Sequence, residues 1–370
     1  MGDRHELLVL LYRKEPMNDD TYNRLADALD RLPNGFSRTK SNVEIRILQK
    51  IFTPEEAELV AVLSGELEPA AAIAERTGLK PSEVQSRLIA LAKRGLVWIE
   101  KSEGKLLFRL LPFMVGIYET QYDILDHEFA HLFEQYMREG GAVGIMKPYP
   151  ALQRVIPAQK ALKSEWILPY DDVRTIIMSA TTYYNQPCIC RKERRLTGFD
   201  ACPFPVDMCL SFSNRPSTGD PTEISRDKTL SLLDQAESIG LVHAVSNNIK
   251  ARGYIGYICN CCGCCCGILR GINDYGIGSS IAQANYAAVL DPELCSNCGA
   301  CVERCQVRAI SAAEKTPAID HDRCIGCGLC VTGCPERAVE LKRKPDDKIL
   351  PPPVDYAAWE AERNRNRGKT

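Results

Sequence analysis

The first half of this 370-residue chain contains no cysteine; the first thiol is Cys188. Thiolate–metal chemistry and disulfides are therefore excluded from residues 1–187. Long apolar runs are also missing. None approaches the ~18 residues that a membrane helix needs. The short apolar stretch 7–12 has acidic flanks, Asp3 and Glu6, which do not fit a secretory signal. A reducing cytoplasm is the expected compartment. No G-x-G-x-x-G, P-loop or flavin fingerprint occurs, so any hydride chemistry belongs to a partner. Neither sign of charge is in excess: 46 Lys and Arg face 48 Asp and Glu, a net charge of −2. That balance argues against a bulk nucleic-acid binder and against a polycationic membrane binder.

What the chain does have is 18 cysteines, all in its second half. In a reducing compartment they read as metal ligands. Eight follow one pattern twice, C-x2-C-x2-C-x3-C: Cys295, Cys298, Cys301 and Cys305, then Cys324, Cys327, Cys330 and Cys334. Asp291 and Asp320 precede the two copies in register, so the repeat is 29 residues long. Tandem runs of this kind resemble the two-cluster bacterial ferredoxins, over about 50 residues, in which each fourth cysteine ligates the other [4Fe–4S] cube. The expected ligand sets are Cys295, Cys298, Cys301 and Cys334 for one cluster, and Cys324, Cys327, Cys330 and Cys305 for the other. Zinc is the plainer alternative for C-x2-C pairs, but the tandem runs, the second of them closed by Pro335, argue against it. Gln306 stands where the first repeat would carry Pro, and its backbone N–H is expected to bond near the second cluster.

The fold class expected is a multidomain α+β protein. Residues 1–42 form a helical segment, with Tyr22, Leu25, Ala26 and Leu29 on one face and a stop at Pro33–Asn34–Gly35. Residues 43–111 read as a winged helix. A helix over 70–76, a turn at Gly78 and a helix from Pro81 have helix-turn-helix spacing, and a hairpin through Glu103–Gly104 follows. That block holds ten basic and ten acidic residues, with Glu83 at the start of the would-be recognition helix, so docking is favoured over DNA binding. Residues 112–150 are expected to be one long helix and a linker, and 151–288 a cysteine-rich α/β domain in which Asp171 or Asp172 caps a helix. Residues 289–343 are the ferredoxin-like 2[4Fe–4S] module, and 344–370 an extended tail that Trp359 pins to a neighbour.

The ten middle cysteines have no familiar layout. They are Cys188, Cys190, Cys202, Cys209, Cys259, Cys261, Cys262, Cys264, Cys265 and Cys266. Adjacent side chains diverge, whereas C-x-C pairs on a strand point the same way. At least one further [4Fe–4S] cluster is expected, with Cys190, Cys209, Cys259 and Cys262 as the favoured quartet; structural zinc or thiol exchange is the alternative. Arg191, Lys192, Arg194 and Arg195 lie beside the first pair. They read either as a solvated loop or as charges that tune a cluster or dock an acidic partner.

Phrases along most of the chain are similar to a family of anaerobe proteins described as 4Fe-4S dicluster domain proteins. They are LPNGF at 32–36, VEIRILQKIFTPEEA at 43–57, GIYE at 116–119, CICR at 188–191, GLVH at 240–243 and ICNCCGCCC from Ile258. The resemblance implies electron transfer in anaerobic metabolism, with a redox protein or oxidoreductase subunits as partners. The leading function is thus an iron–sulfur electron-transfer protein or subunit. A redox-responsive transcription regulator and a catalytic iron–sulfur reductase are the other classes. One motif stands outside this scheme: His127, Glu128 and His131 match H-E-x-x-H, the zinc-protease arrangement. A third ligand is unmarked, with Glu165 the only guess, and Leu125, Phe129, Leu132, Phe133 and Tyr136 already give this helix a buried stripe. Zinc analysis of a His127→Ala variant tests the motif, and an unchanged zinc content is the expected outcome.

Overall fold

Buried residues at helical spacing, Tyr22, Leu25, Ala26 and Leu29, place the first helix, α1 (Asp19–Arg31), against its neighbours. The computed structural model describes residues 19–163, 167–168, 171–217, 219–247 and 256–369; Glu165 and residues 1–18 lie outside them. The chain divides into two compact units between Thr120 and Gln121. No helix among the described residues is long and apolar enough to cross a membrane.

In the N-terminal unit, α2 (Val43–Ile51) is followed by α3 (Pro54–Ala61). The start of α3 is fixed by a reciprocal cap. Thr53 Oγ1 accepts from Glu56 N at 3.3 Å, while Glu56 Oε2 accepts from Thr53 N at 3.0 Å. Then come β1 (Glu68–Pro69), α4 (Ala70–Thr77) and α5 (Pro81–Lys93), with Gly78 at φ 70° closing α4. Strands β2 (Val97–Ser102) and β3 (Lys105–Leu110) form a hairpin. Its turn needs positive φ at both central residues, and Glu103 and Gly104 adopt 49° and 80°. The sheet order is β1-β3-β2, and Ile73, Val84, Leu88, Leu96 and Phe108 fill the space beneath it.

The single long helix expected over 112–138 is absent. Met114 is extended, and Gly116 donates its N–H to the Glu119 carboxylate at 2.7 Å. Helix α6 (His127–Tyr136) begins only where Asp126 accepts from Phe129 N at 2.7 Å. Two separate caps thus outcompete one continuous run. The chain then bends at Gly140, φ 129°, into α7 (Ala142–Met146).

The second unit is built on a six-stranded antiparallel sheet in the order β4-β8-β9-β6-β5-β7. Its strands are β4 (Gln153–Ile156), β5 (Thr182–Gln186), β6 (Cys209–Ser213), β7 (Glu223–Ile224), β8 (Val242–Ser246) and β9 (Gly256–Cys261). Helices α8 (Val173–Met178) and α10 (Arg226–Ile239) supply Val173, Ile177, Leu233 and Ala236 to a core shared with Leu210, Val245 and Ile258 of the strands. Asp172 caps α8, and Gly240 at φ 90° stops α10. Asp171 does not cap; it is buried against Arg154 at 2.6 Å. Cys190 lies in α9 (Ile189–Leu196), Cys188 and Cys266 immediately precede α9 and α11 (Gly267–Asn273), and contacts join α9 to α6 and α11 to α7.

The C-terminal part repeats itself. Strand β10 (Tyr286–Leu290) pairs with β13 (Val339–Arg343), and β11 (Ile310–Ser311) with β12 (Ala318–Ile319). Between them lie α12 (Ala300–Arg304) and α13 (Leu329–Thr332). The tail is not simply extended. It ends in α14 (Tyr356–Asn366), which Asp355 caps. Trp359 donates to Ala151 O at 3.2 Å, and the Arg363 guanidinium is buried among the carbonyls of Ile145, Pro148 and Pro150. Burial pulls the Arg363 pKa down to about 9. Truncating a buried aromatic of this size costs roughly 3–5 kcal/mol, so Trp359→Ala should lower the stability of the holoprotein by that order in denaturant titration. A loss under about 1 kcal/mol would show that the helix is not anchored.

Candidate metal centres

The 29-residue repeat becomes a local pseudo-symmetry. Gly299 and Gly328 hold φ 79° and 76° at the starts of α12 and α13, and Arg308 and Arg337 hold 55° and 53°. Asp291 N donates to Ala338 O and Asp320 N to Ala309 O, both at 2.7 Å. The loop before each short helix and the helix itself set three cysteines around one cavity, and the turn after it sends a fourth across. One cavity is lined by Cys295, Cys298, Cys301 and Cys334 together with Leu290, Pro317 and Val339. The other is lined by Cys305, Cys324, Cys327 and Cys330 together with Ile310, Ile325 and Leu341. Backbone N–H groups already face the sulfurs: Asn297 N to Cys295 Sγ at 3.4 Å, Ala309 N to Cys305 Sγ at 3.1 Å and Ala338 N to Cys334 Sγ at 3.2 Å. Such bonds stabilise thiolate and tune a bound cluster.

Burial pushes the Cys327 thiol up to about 12 and raises Cys330 as well. A thiol in such a place is a poor ligand until a metal displaces its proton. Four sulfurs, apolar walls and inward-facing N–H groups are the donor set of a [4Fe–4S] cube.

Residues 288–341 match the family model of a 4Fe-4S dicluster domain. No curated protein matches the chain. The C-terminal region is therefore an iron–sulfur region, joined to a cysteine-rich domain.

In that middle domain the ten thiols fall into two sets. The sulfurs of Cys202, Cys262, Cys264 and Cys265 all lie within 4.8 Å of one another. Cys202 and Cys262 are 3.9 Å apart, Cys264 and Cys265 3.7 Å. The Cys262 and Cys265 thiols hold Cys264 down to about 4, while Cys262 pushes Cys202 up to about 12. The other six interact pairwise in a closed ring: Cys188 with Cys190, Cys190 with Cys266, Cys266 with Cys261, Cys261 with Cys259, Cys259 with Cys209, and Cys209 with Cys188.

The quartet expected from sequence is thus divided. Cys190, Cys209 and Cys259 sit in the ring, and Cys262 sits in the set of four. Strand alternation is the cause. Cys259 and Cys261 share a face of β9, whereas Cys262 lies beyond the strand end and packs into the core with Ile258. The i, i+2 spacing in the sequence carried this signal; the two-set partition needs the register Cys209↔Cys259, which only folding supplies.

The basic run beside Cys190 is a helix and not a loop. Arg191 is 1% exposed and donates to Asn260 O at 2.9 Å. Desolvation works against its charge, but Cys188, Cys262, Cys261 and Cys209 outweigh it and its pKa rises. Arg195 alone of the four basic residues is exposed. Asn260 also binds His243 Nδ1 at 2.6 Å and Met208 O at 2.7 Å, a buried link that sequence reading missed. His127 and His131 stand at the exposed start of α6 with stacked rings 4.2 Å apart, and His131 Nδ1 lies 3.1 Å from His127 O.

Two residues lock the module to the middle domain. Gln306 Oε1 accepts from Gly263 N at 2.8 Å, and Gln306 Nε2 donates to Gly240 O at 2.9 Å. Arg304 donates to Leu329 O, Ser238 O and Glu237 O at 2.8–3.1 Å. The position marked by a missing Pro therefore acts through its side chain.

A buried charge cluster supports α9. Glu134 accepts from both Nη atoms of Arg270, at 2.9 and 2.6 Å, and lies 3.5 Å from Arg194. Glu193 is buried beside it. Desolvation first, then the Glu134 charge, raise Glu193 to about 8 from an ordinary 4.5, against Arg270 and Arg194. A carboxyl raised in the folded state gives stability that is complete below the unfolded pKa and is lost as pH climbs through the folded one. Glu193→Gln should therefore gain in unfolding midpoint over the parent as pH is raised from about 4.5 to about 8. A difference that stays constant with pH would refute this account of Glu193.

Proposed function

We propose that the chain is an iron–sulfur electron-transfer protein, or the electron-transfer subunit of an oxidoreductase system. In this reading Cys295, Cys298, Cys301 and Cys334 hold one [4Fe–4S] cluster, and Cys305, Cys324, Cys327 and Cys330 hold a second. Cys202, Cys262, Cys264 and Cys265 hold a further thiolate-bound cluster in the middle domain. When bound, such groups take up and release single electrons within a wide range of potentials.

The observation that carries this reading is the junction between the second set and the third. Gly263 stands between Cys262 and Cys264, and Gln306 directly follows Cys305. A Cβ at 263 would lie 1.8 Å from Gln306 O, so the two ligand loops are in backbone contact. Asn273 Nδ2 ties them further, donating to Gly263 O at 3.1 Å and to Gln306 O at 2.9 Å. A chain that merely stored iron would have no reason to lock its ligand loops together at atomic distance.

We read residues 43–111, with their order β1-α4-α5-β2-β3 after α2 and α3, as a winged helix. We read it as a docking module for the redox partner. Its acids and bases balance, and Glu83, at the start of α5, is engaged with Arg87 at 2.6 Å, so its charge balance gives DNA binding no support. The free cysteines support a reducing compartment such as the cytoplasm under this reading.

Anaerobic titration with dithionite, followed by low-temperature electron paramagnetic resonance, tests the proposal. Iron–sulfur signals should appear on reduction and vanish on reoxidation. Cys327→Ser should lower iron by about four atoms per chain. Gln306→Ala, which keeps every thiol, should leave iron content unchanged but slow electron equilibration between module and middle domain. Purified holoprotein whose bound metal does not cycle would overturn the reading.

A further inference from the structure

The six-thiol ring has no place in the reading above. It is assembled from four separate pieces of chain. Cys259 and Cys261 project from one face of β9, and Cys209 lies directly across from Cys259 in the antiparallel register of β6. Cys188 and Cys190 open α9, tethered by the bond from Cys188 N to Val206 O at 2.9 Å. Cys266 precedes α11 and interacts with Cys190 and Cys261, which completes the circle. Cys188, Cys261 and Cys266 are buried; Cys190, Cys209 and Cys259 are half-buried.

Free cysteine in a core behaves as a small hydrophobe and packs against carbon. Here six sulfurs face sulfurs instead, although S–H is a weak donor. A single tetrahedral zinc or a single cube uses four thiolates, so six exceed either. Arg191 gives a second, independent sign. Its guanidinium is almost wholly enclosed, yet Nε and Nη1 have no hydrogen-bond partner among the described residues. A buried cation left so is costly unless negative charge stands opposite. The groups around it are Cys188, Cys209 and Cys261 of the ring, with Cys262 of the neighbouring set.

We propose that Cys188, Cys190, Cys209, Cys259, Cys261 and Cys266 form a separate polynuclear iron–sulfur centre, larger than one cube, whose net negative charge Arg191 balances. Iron fits this position better than redox-inert zinc, because α11 runs directly from Cys266 to Asn273, which binds the Gly263–Gln306 junction. The assignment does not depend on the function of the C-terminal module, which has its own eight cysteines.

The test compares anaerobically prepared full-length protein with two double variants, Cys209→Ser/Cys259→Ser in the ring and Cys262→Ser/Cys264→Ser in the set of four. Iron, acid-labile sulfide and zinc are counted per chain. The parent should hold more than about twelve irons, four for each four-thiol set. The ring variant should lose more than about four, and the other variant about four. To keep the test independent of how the variants fold, the parent is also treated with iodoacetamide before and after iron chelation and mapped by mass spectrometry. The six ring cysteines should be protected in the holoprotein and become reactive after chelation. A parent with about twelve irons or fewer, zinc at the ring in place of iron, disulfides among the six, or ring thiols that alkylate freely in the native holoprotein would each overturn the proposal.

Discussion

Side chains on a strand alternate between two faces, and β9 applies that rule to a cysteine-rich run. Ile258 enters the core beneath α8 and α10, while Cys259 and Cys261 face the opposite side of the sheet. The strand ends at Cys261, so Cys262, Cys264 and Cys265 turn back toward Cys202. A slip of one residue would exchange the two faces and scatter both thiol sets. The sheet register is therefore also the rule that sorts the sulfurs.

Much of the C-terminal region was legible before folding because its chemistry is local. Three cysteines at i, i+3 and i+6 need only one turn of chain, and a fixed 29-residue repeat marks the second copy. Helix ends were legible for the same reason: Thr53 with Glu56, Asp172 and Gly240 act on groups within a few residues. The middle domain was not legible at that level. Which of ten thiols meet depends on pairings such as Cys209 with Cys259, fifty residues apart in sequence. The long helix expected after Pro112 failed for a related reason. Its apolar spacing was real, but Glu119 and Asp126 offered competing caps. The tail looked extended because prolines precede it, whereas burial of Trp359 and Arg363 rewards a helix there.

One buried charge cluster in the second unit holds the elements that position thiols. Glu134, Glu193, Arg194 and Arg270 join α6, α9 and α11. Arg154 and Asp171 pair in the interior at 2.6 Å, with Asp171 raised to about 6 by desolvation despite its partner. Buried pairs of this kind contribute little net stability, but breaking one side is expensive. The value of the Glu134 cluster is to allow a single arrangement of the helices that follow Cys188 and Cys266.

The absence of a side chain at Gly263 has a consequence for how the protein is made. Its backbone rests against the carbonyl of Gln306, the residue after a cysteine of the C-terminal module. That module has a small apolar core and eight thiols, so under the proposed function its own shape would be gained together with its metal. Until the later-synthesised segment has matured, the loop holding Cys262 and Cys264 lacks one of its walls. Biogenesis would then run backwards along the chain, the last-translated region being loaded first and serving as the template on which the earlier cysteines are arranged.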